Sequence, residues 1–215
     1  MSDRLHRLFN DMTRFYWNTI DNISFDNGIY IVFENGETYH NMNRIVRVGT
    51  HNKDGRLRKR LKDHFVHANK DGSIFRKNVG KAILNKERDP YIDIWHKNSS
   101  NKKIMLDING YDPMYQKQIE SAVSEYMRGH FSFTCFPVPS MLERLRLEEG
   151  IIAEINSTNG LTASSTWLGN FSTEYLISQN GMWLKDGLKG RPLSDDEFSK
   201  ILIYCSVMQS AVIHN

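Results

Sequence analysis

Cysteine is nearly absent from the chain: Cys135 and Cys205 are the only two in 215 residues, and they form no CxxC. That excludes a disulfide framework and a cysteine-built zinc site, and such usage fits a reducing cytoplasm. No apolar run approaches the ~18 residues needed to span a bilayer, so no membrane role is expected. The opening MSDRLHRLFNDM has no apolar segment and does not read as a secretory signal. The eight histidines are scattered without HxH or HExxH spacing, which leaves a histidine-ligated zinc site without support. There is no GxxxxGK[ST], no GxGxxG behind a strand and no GxSxG. Nucleotide binding and serine hydrolase chemistry are therefore not indicated. Internal repeats and low-complexity tracts are also lacking.

What is present is an ordinary globular composition, 40% hydrophobic and 25% charged. A chain of this length removes roughly 70% of its extended surface from water on folding. The net charge of +3 is unevenly spread. Ten Lys/Arg and three Asp fall between Lys53 and Lys81, leaving the rest of the chain slightly acidic. A local basic block on a balanced chain points to a polyanion footprint, though a solvated helix face has the same signature.

Residues 3–20 carry apolar side chains at helical spacing (Leu5, Leu8, Phe9, Met12, Phe15, Tyr16, Ile20). Two short strands are expected at 28–34 and 45–49, joined by the turn-rich NGETYHNMN. Leu57, Leu61 and Phe65 recur every four residues and mark a helix with a basic flank. SIFRKNVGKAILN reads as a second helix capped by Ser73. Residues 86–110 read as irregular. A third helix follows Pro113, and FSFTCFPV is strand-like. Ser140 with Glu143 three residues on makes a capping box for a further helix, and a last helix starts near 194–196. The order is α-β-β-α-α-α-β-α plus a C-terminal extension, an α+β pattern with a small sheet.

Two constellations could carry chemistry. Met141, Leu145, Glu148, Ile152 and Ile155 are spaced 4, 3, 4 and 3 and share one helix face. Four are apolar, so the fifth, a carboxylate, is costly there unless it meets a cation, donors or a metal. Arg60 and His64 are four apart and neighbours on one helix. Arg is shaped to hold a phosphate bidentately, and His carries protons near neutral pH. The structural alternatives are an Arg-paired glutamate at a stripe edge, and a surface Arg beside a half-buried His.

In order, Gly28-Ile29-Tyr30, a strand ending in Arg47-Val48-Gly49, the helix KRLKDHF, and Glu148 followed at +3 and +4 by Ile151 and Ile152 and then by Asn156 resemble the GIY-YIG nuclease superfamily. The phrases RIVRVGTH, SIFRKNVGKAIL and WLG followed by NGMW are similar to free-standing bacterial members of restriction or defence type. The resemblance implies a core with a small antiparallel or mixed three-stranded sheet flanked by helices, formed by 28–84 and 131–156. Around it lie an N-terminal helix (1–26), a helical insertion (86–130) and a C-terminal extension (157–215), all in one domain, 1–215. It implies hydrolysis of phosphodiesters in double-stranded DNA with Mg²⁺ or Mn²⁺. Glu148 would be the metal ligand, Tyr30 would activate the water, Arg60 would hold the pentacovalent phosphate and His64 would orient the water or bond the phosphate. A free tyrosine titrates near ~10, so this role asks for neighbouring cations. The second tyrosine of the family motif is Arg47 here. Arg56, Arg58, Lys59, Arg76, Lys77, Lys81 and Asn156 are candidates for DNA contacts. Cutting both strands of a palindrome with a one-centre chain would favour a homodimer. The competing readings are a structure-specific repair or mobile-element nuclease, and a catalytically decayed domain that only binds DNA.

Overall fold

The computed structural model of the chain describes residues 1–99 and 101–212. Its centre is a three-stranded antiparallel sheet, β1 (Gly28–Tyr39), β2 (Met42–Gly49) and β3 (Phe131–Pro137), in the order β2-β1-β3. Both strands of the hairpin are longer than expected. Asn35-Gly36 is not the turn: the register slips between Phe33 and Thr38, so β1 passes through a bulge there. The chain reverses at His40-Asn41, with φ of 47° and 63°. Two consecutive left-handed residues make the two-residue turn that suits the twist of a hairpin.

The expected helix over 3–20 is shorter, α1 (Ser2–Asn10). The Asn10 side chain folds back onto the His6 carbonyl and also bonds Asn43 of β2. Phe15 then exchanges backbone hydrogen bonds with Phe133, so this stretch lies along β3 instead of coiling. Met12, Phe15 and Ile20 are buried all the same.

After β2 come α2 (Leu57–Phe65) and α3 (Ile74–Lys86), the latter capped by the Ser73 hydroxyl on the Arg76 amide. The stretch read as irregular contains two short helices, α4 (Ile92–His96) and α5 (Lys102–Leu106). Five residues are too few to leave a periodic signature. α6 (Pro113–His130) begins with Asp112 capping and Pro113 in the first turn, and α7 (Met141–Asn156) starts at the expected Ser140 cap. α8 (Tyr175–Asn180) and α9 (Asp195–Val212) complete the fold. No helix among the described residues is long and apolar enough to cross a membrane. Cys135 and Cys205 are both free and buried.

Alternation along β1 puts Tyr30, Val32 and Glu34 on one face. Phe65 of α2 stacks on Phe133 at 5.3 Å there, and Phe75 of α3 meets Phe131 edge-on at 5.1 Å. The segment read as an insertion is packed into this layer. Glu120 of α6 pairs with Arg76 at 2.9 Å, and Trp95 of α4 fills the space that a side chain at Gly80 would take.

The C-terminal extension closes the sheet. The Trp183 amide donates to the Val46 carbonyl at 2.7 Å, while Arg44 and Arg47 donate to the carbonyls of Gly181 and Trp183. These bonds cover the outer edge of β2, which would otherwise be open to pairing with another chain. Glu34, buried in β1, fastens the extension by accepting from Tyr126 Oη at 2.5 Å, Trp167 Nε1 at 2.7 Å and Trp183 Nε1 at 2.8 Å.

Candidate active site

At the Gly28/Gly49 end of the sheet, a cleft runs between β2, α2 and α7. It has two lobes of about 600 Å³ each, and Arg60, Leu145 and Glu148 line both. Arg47, Asn78 and the 184–187 segment wall the first lobe; Thr50, His51, Lys53 and Arg56 wall the second.

Tyr30 lies beneath this cleft. It pairs across the hairpin with Gly49, and a Cβ on Gly49 would overlap the Tyr30 ring and hydroxyl. Glycine is required there so that the tyrosine can pass under the strand end. Tyr30 is 1% exposed and its hydroxyl bonds His64 Nε2 at 2.8 Å. His64, fully buried in α2, bonds the Ser73 hydroxyl through Nδ1 at 2.7 Å. Burial, joined by Arg47, Arg60 and Arg76, drives the His64 pKa well below its ordinary value, so the ring is neutral near pH 7. One helical turn earlier, Arg60 opens into the cleft, so the two neighbours expected to act together point to different layers.

Glu148 lies in the cleft, for a reason other than the one its spacing offered. The face of α7 that enters the core carries Arg144, Leu147, Ile151 and Ile155, whereas Met141 and Leu145 are exposed. Of the stripe read as core, Leu145, Glu148 and Ile152 line the cleft, while Met141 is exposed outside it and Ile155 is buried. Glu148 Oε1 accepts the Thr50 amide at 2.9 Å. Burial pushes its carboxyl up to about 7, with Arg47, the Thr50 amide and Arg60 pulling the other way and Asp186 adding to the rise. A carboxylate held by one amide beside an open, partly desolvated lobe fits a divalent cation, whose charge offsets the cost of burial. Mg²⁺ characteristically takes one or two carboxylates and fills its shell with water. No group of three or more His, Cys, Asp or Glu able to cage a metal occurs among the described residues.

Arg47, in the place of the family's second tyrosine, is 7% exposed. It donates to the Trp183 carbonyl and lies over the Phe75 ring at 4.9 Å. Its Nε has no partner, and neither has the buried Asn78 Oδ1 in the same wall.

The basic block is largely spent inside the fold. Arg76 is fully buried against Glu120, and Lys81 against Glu174 at 2.7 Å; neither reaches DNA as expected. Lys77 approaches Asp71 at 3.5 Å, Lys59 pairs with Asp63 on its own helix, and Arg58 pairs with Asp26. Asn156 donates to the Leu188 carbonyl, so it orders the chain rather than lining the cleft. Among the described residues of the block, Lys53, Arg56 and Arg60 lack an acidic partner, and all three line the second lobe. The sequence reading missed Thr50, His51, Asn78 and the 184–187 wall. His51 sits inside the quoted RIVRVGTH. Its Nδ1–H donates to the Lys53 carbonyl at 2.6 Å, which leaves Nε2 to accept the Gly28 amide at 3.3 Å.

A family model described as the GIY-YIG domain matches residues 3–201. Neither a search of curated proteins nor one of solved structures finds a match.

Proposed function

The chain belongs to the GIY-YIG family of nucleases, and on that premise we propose that it is a divalent-metal-dependent endonuclease of double-stranded DNA, of restriction or defence type. The observation that carries this reading is the convergence of Arg60 and Glu148, far apart in sequence, on one cleft that Lys53 and Arg56 also line, with Tyr30 buried under Gly49 at its end.

Mg²⁺ or Mn²⁺ bound at Glu148 would neutralise charge on the scissile phosphate and the departing 3′ oxygen. The Thr50 amide fixes the carboxylate that holds it. Arg60 bonds the non-bridging phosphate oxygens, whose charge grows as the attacking water closes on phosphorus. Arg47, which lines the first lobe with Arg60, adds positive charge from β2. Tyr30 takes the proton that the water loses, for which it must act as the phenolate. The new O–P bond forms as the P–O3′ bond breaks, and the 3′ oxygen takes a proton from solvent. His64 holds the phenol oxygen in line. Lys53 and Arg56 bind the flanking backbone, a salt-sensitive contribution without sequence preference.

Three phrases support the restriction or defence assignment by their resemblance to free-standing members, and they meet in space. RIVRVGTH bonds NGMW through Val46 and Trp183, and Phe75 of SIFRKNVGKAIL lies 6.1 Å from Trp183. Incubating the protein with phage and plasmid DNA, with Mg²⁺ and with EDTA, tests the reading. Discrete Mg²⁺-dependent fragments are expected. A smear would reject site specificity, and binding without cleavage would reject catalysis.

A further inference from the structure

Outside the cleft, Arg14 and Arg128 line one pocket, and neither is paired with an acid among the described residues. The pocket, of about 340 Å³, opens where Phe33 of β1 and Phe131 of β3 meet the last turn of α6. It shares no lining residue with either lobe of the cleft. It lies toward the other end of the sheet, roughly 20 Å along β1 from Gly28. We propose that Arg14 and Arg128 form a second anion site, which holds the phosphate of a nucleotide or of a nucleic-acid strand, with Tyr16 as the surface on which the attached nucleoside stacks. The site stands apart from the cleft and does not depend on cleavage.

Arg14 immediately precedes the Phe15 that pairs with Phe133 of β3, and its guanidinium lies over the Phe33 ring at 3.6 Å. The ring attracts the cation but gives its N–H groups no acceptor. Nη1 is buried without a partner. Glu34 stands in the same wall and does not answer the charge, because its oxygens accept from Tyr126, Trp167 and Trp183. Burial lowers the Arg14 pKa, with Tyr16 opposing, yet an arginine remains a cation at neutral pH. A half-buried charge without a counter-charge is costly. With the interior side closed, an anion can approach only from the pocket, where it offsets the charge even though Nη1 stays enclosed.

Arg128 is held ready in the same pocket. It donates through Nε to the Phe65 carbonyl at 3.1 Å and through Nη2 to the Val66 carbonyl at 2.9 Å, and it lies over the Trp17 ring at 4.8 Å. Those bonds use two of its five N–H groups and fix the plane of the rest. Little side-chain freedom is then left to lose when an anion binds. Two guanidiniums in one pocket repel each other until an anion joins them, and each has the fork that matches a phosphate. Tyr16 is 49% exposed in the pocket wall. An exposed aromatic beside fixed cations takes a base on its face while the cations take the phosphate. A sulfate or a simple carboxylate would use the arginines and leave Tyr16 idle.

Titrating nitrogen-15-labelled protein without metal, and following the arginine Nε–H signals, reads the site directly. Inorganic phosphate should shift the Arg14 and Arg128 signals together with a Kd of about 1 mM, whereas sodium chloride at matched ionic strength should not. Arg14→Gln should weaken the Arg128 response by about 10-fold, and Arg14→Lys, which keeps the charge without the fork, by less. Arg60→Ala should leave the response unchanged, since that guanidinium lies in the cleft. The nucleotide dAMP should bind about 10-fold more tightly than inorganic phosphate, and Tyr16→Ala should remove that gain alone. A short single strand that binds more tightly than dAMP identifies nucleic acid as the occupant; dAMP at least as tight identifies a free nucleotide. Absence of a phosphate-specific shift in the native chain overturns the site without recourse to any variant, as does a native-like response in folded Arg14→Gln. Equal affinities for phosphate and dAMP would overturn the role given to Tyr16.

Discussion

The two ends of β1 treat buried polar groups in opposite ways. Around Glu34 both carboxylates are satisfied, although Arg14 Nη1 nearby has no partner. The carboxylate takes three donors, and beside it Glu37 takes Arg44 together with the Ser164 amide and hydroxyl. Around Tyr30 the accounts are left open: Glu148 has one amide, Arg47 Nε none and Asn78 Oδ1 none. Both ends are built from acids, arginines and aromatics in similar burial, so residue type does not separate them. Completeness of partnering does. A saturated cluster fastens the fold, whereas an unsaturated one beside a cavity is held in readiness for a ligand that brings the missing partners.

The hardest test of that contrast is Glu148→Gln. Cleavage should fall by roughly 10³-fold or more, because the isosteric amide cannot hold the cation, while binding to DNA without metal is retained. The melting temperature above pH 7 should not fall, since a costly buried charge is removed. Residual cleavage near the native rate in a gel assay rejects Glu148 as the ligand. Next in size, Arg60→Ala should lower kcat by roughly 10²-fold, whereas Arg58→Ala, whose guanidinium is engaged by Asp26, should change it by less than about 3-fold at low salt. Equal losses would remove the special role of Arg60. At the saturated end, Glu34→Gln replaces one accepting oxygen with an N–H₂, which then opposes either the Tyr126 hydroxyl or the two tryptophan N–H groups. It should cost about 2 kcal/mol, seen as a drop of about 4–8 °C in Tm, with kcat of the folded fraction within about 2-fold of native. A large fall in kcat without a Tm shift would join the two ends functionally.

The smallest effect expected is a dependence on pH. With its carboxyl raised to about 7, folded Glu148 retains a proton between pH 4.5 and 7 that the unfolded chain has already lost. The folded state then binds more protons, so Glu148 makes stability decline as pH rises through that window. Over the same range a cation must displace the proton, so affinity for Mn²⁺ should weaken by up to about 10-fold per unit below pH 7 and level off above it. Titration calorimetry at pH 6 and pH 8 measures this, and equal affinities would contradict it.

Much of the frame was legible in local pattern. The Ser73 and Ser140 caps, the hairpin, the Leu57/Leu61/Phe65 stripe and the helix after Pro113 are all short-range signals. The shared face of α7 singled out Glu148, although Leu145 lines the cleft and Met141 is exposed, neither entering the core. Periodicity reports that a stripe is apolar, not what it faces. The fate of the basic block was not legible, because its acids arrive from far along the chain. Glu120 lies 44 residues from Arg76, and Glu174 lies 93 from Lys81. The Thr50 amide has no sequence signature at all, since every residue but proline carries one.

The stretch from Gly181 to Gly187 seals the edge of β2 with its first residues and walls the cleft with its last. Anyone seeking to retarget the enzyme therefore has little freedom to lengthen or shorten this stretch, because a change of loop length would also unzip the sheet. Substitution in place is the freer change, at Asp186 more than at Lys185, which pairs with Glu174 at 3.0 Å, because the backbone that protects the strand then keeps its register.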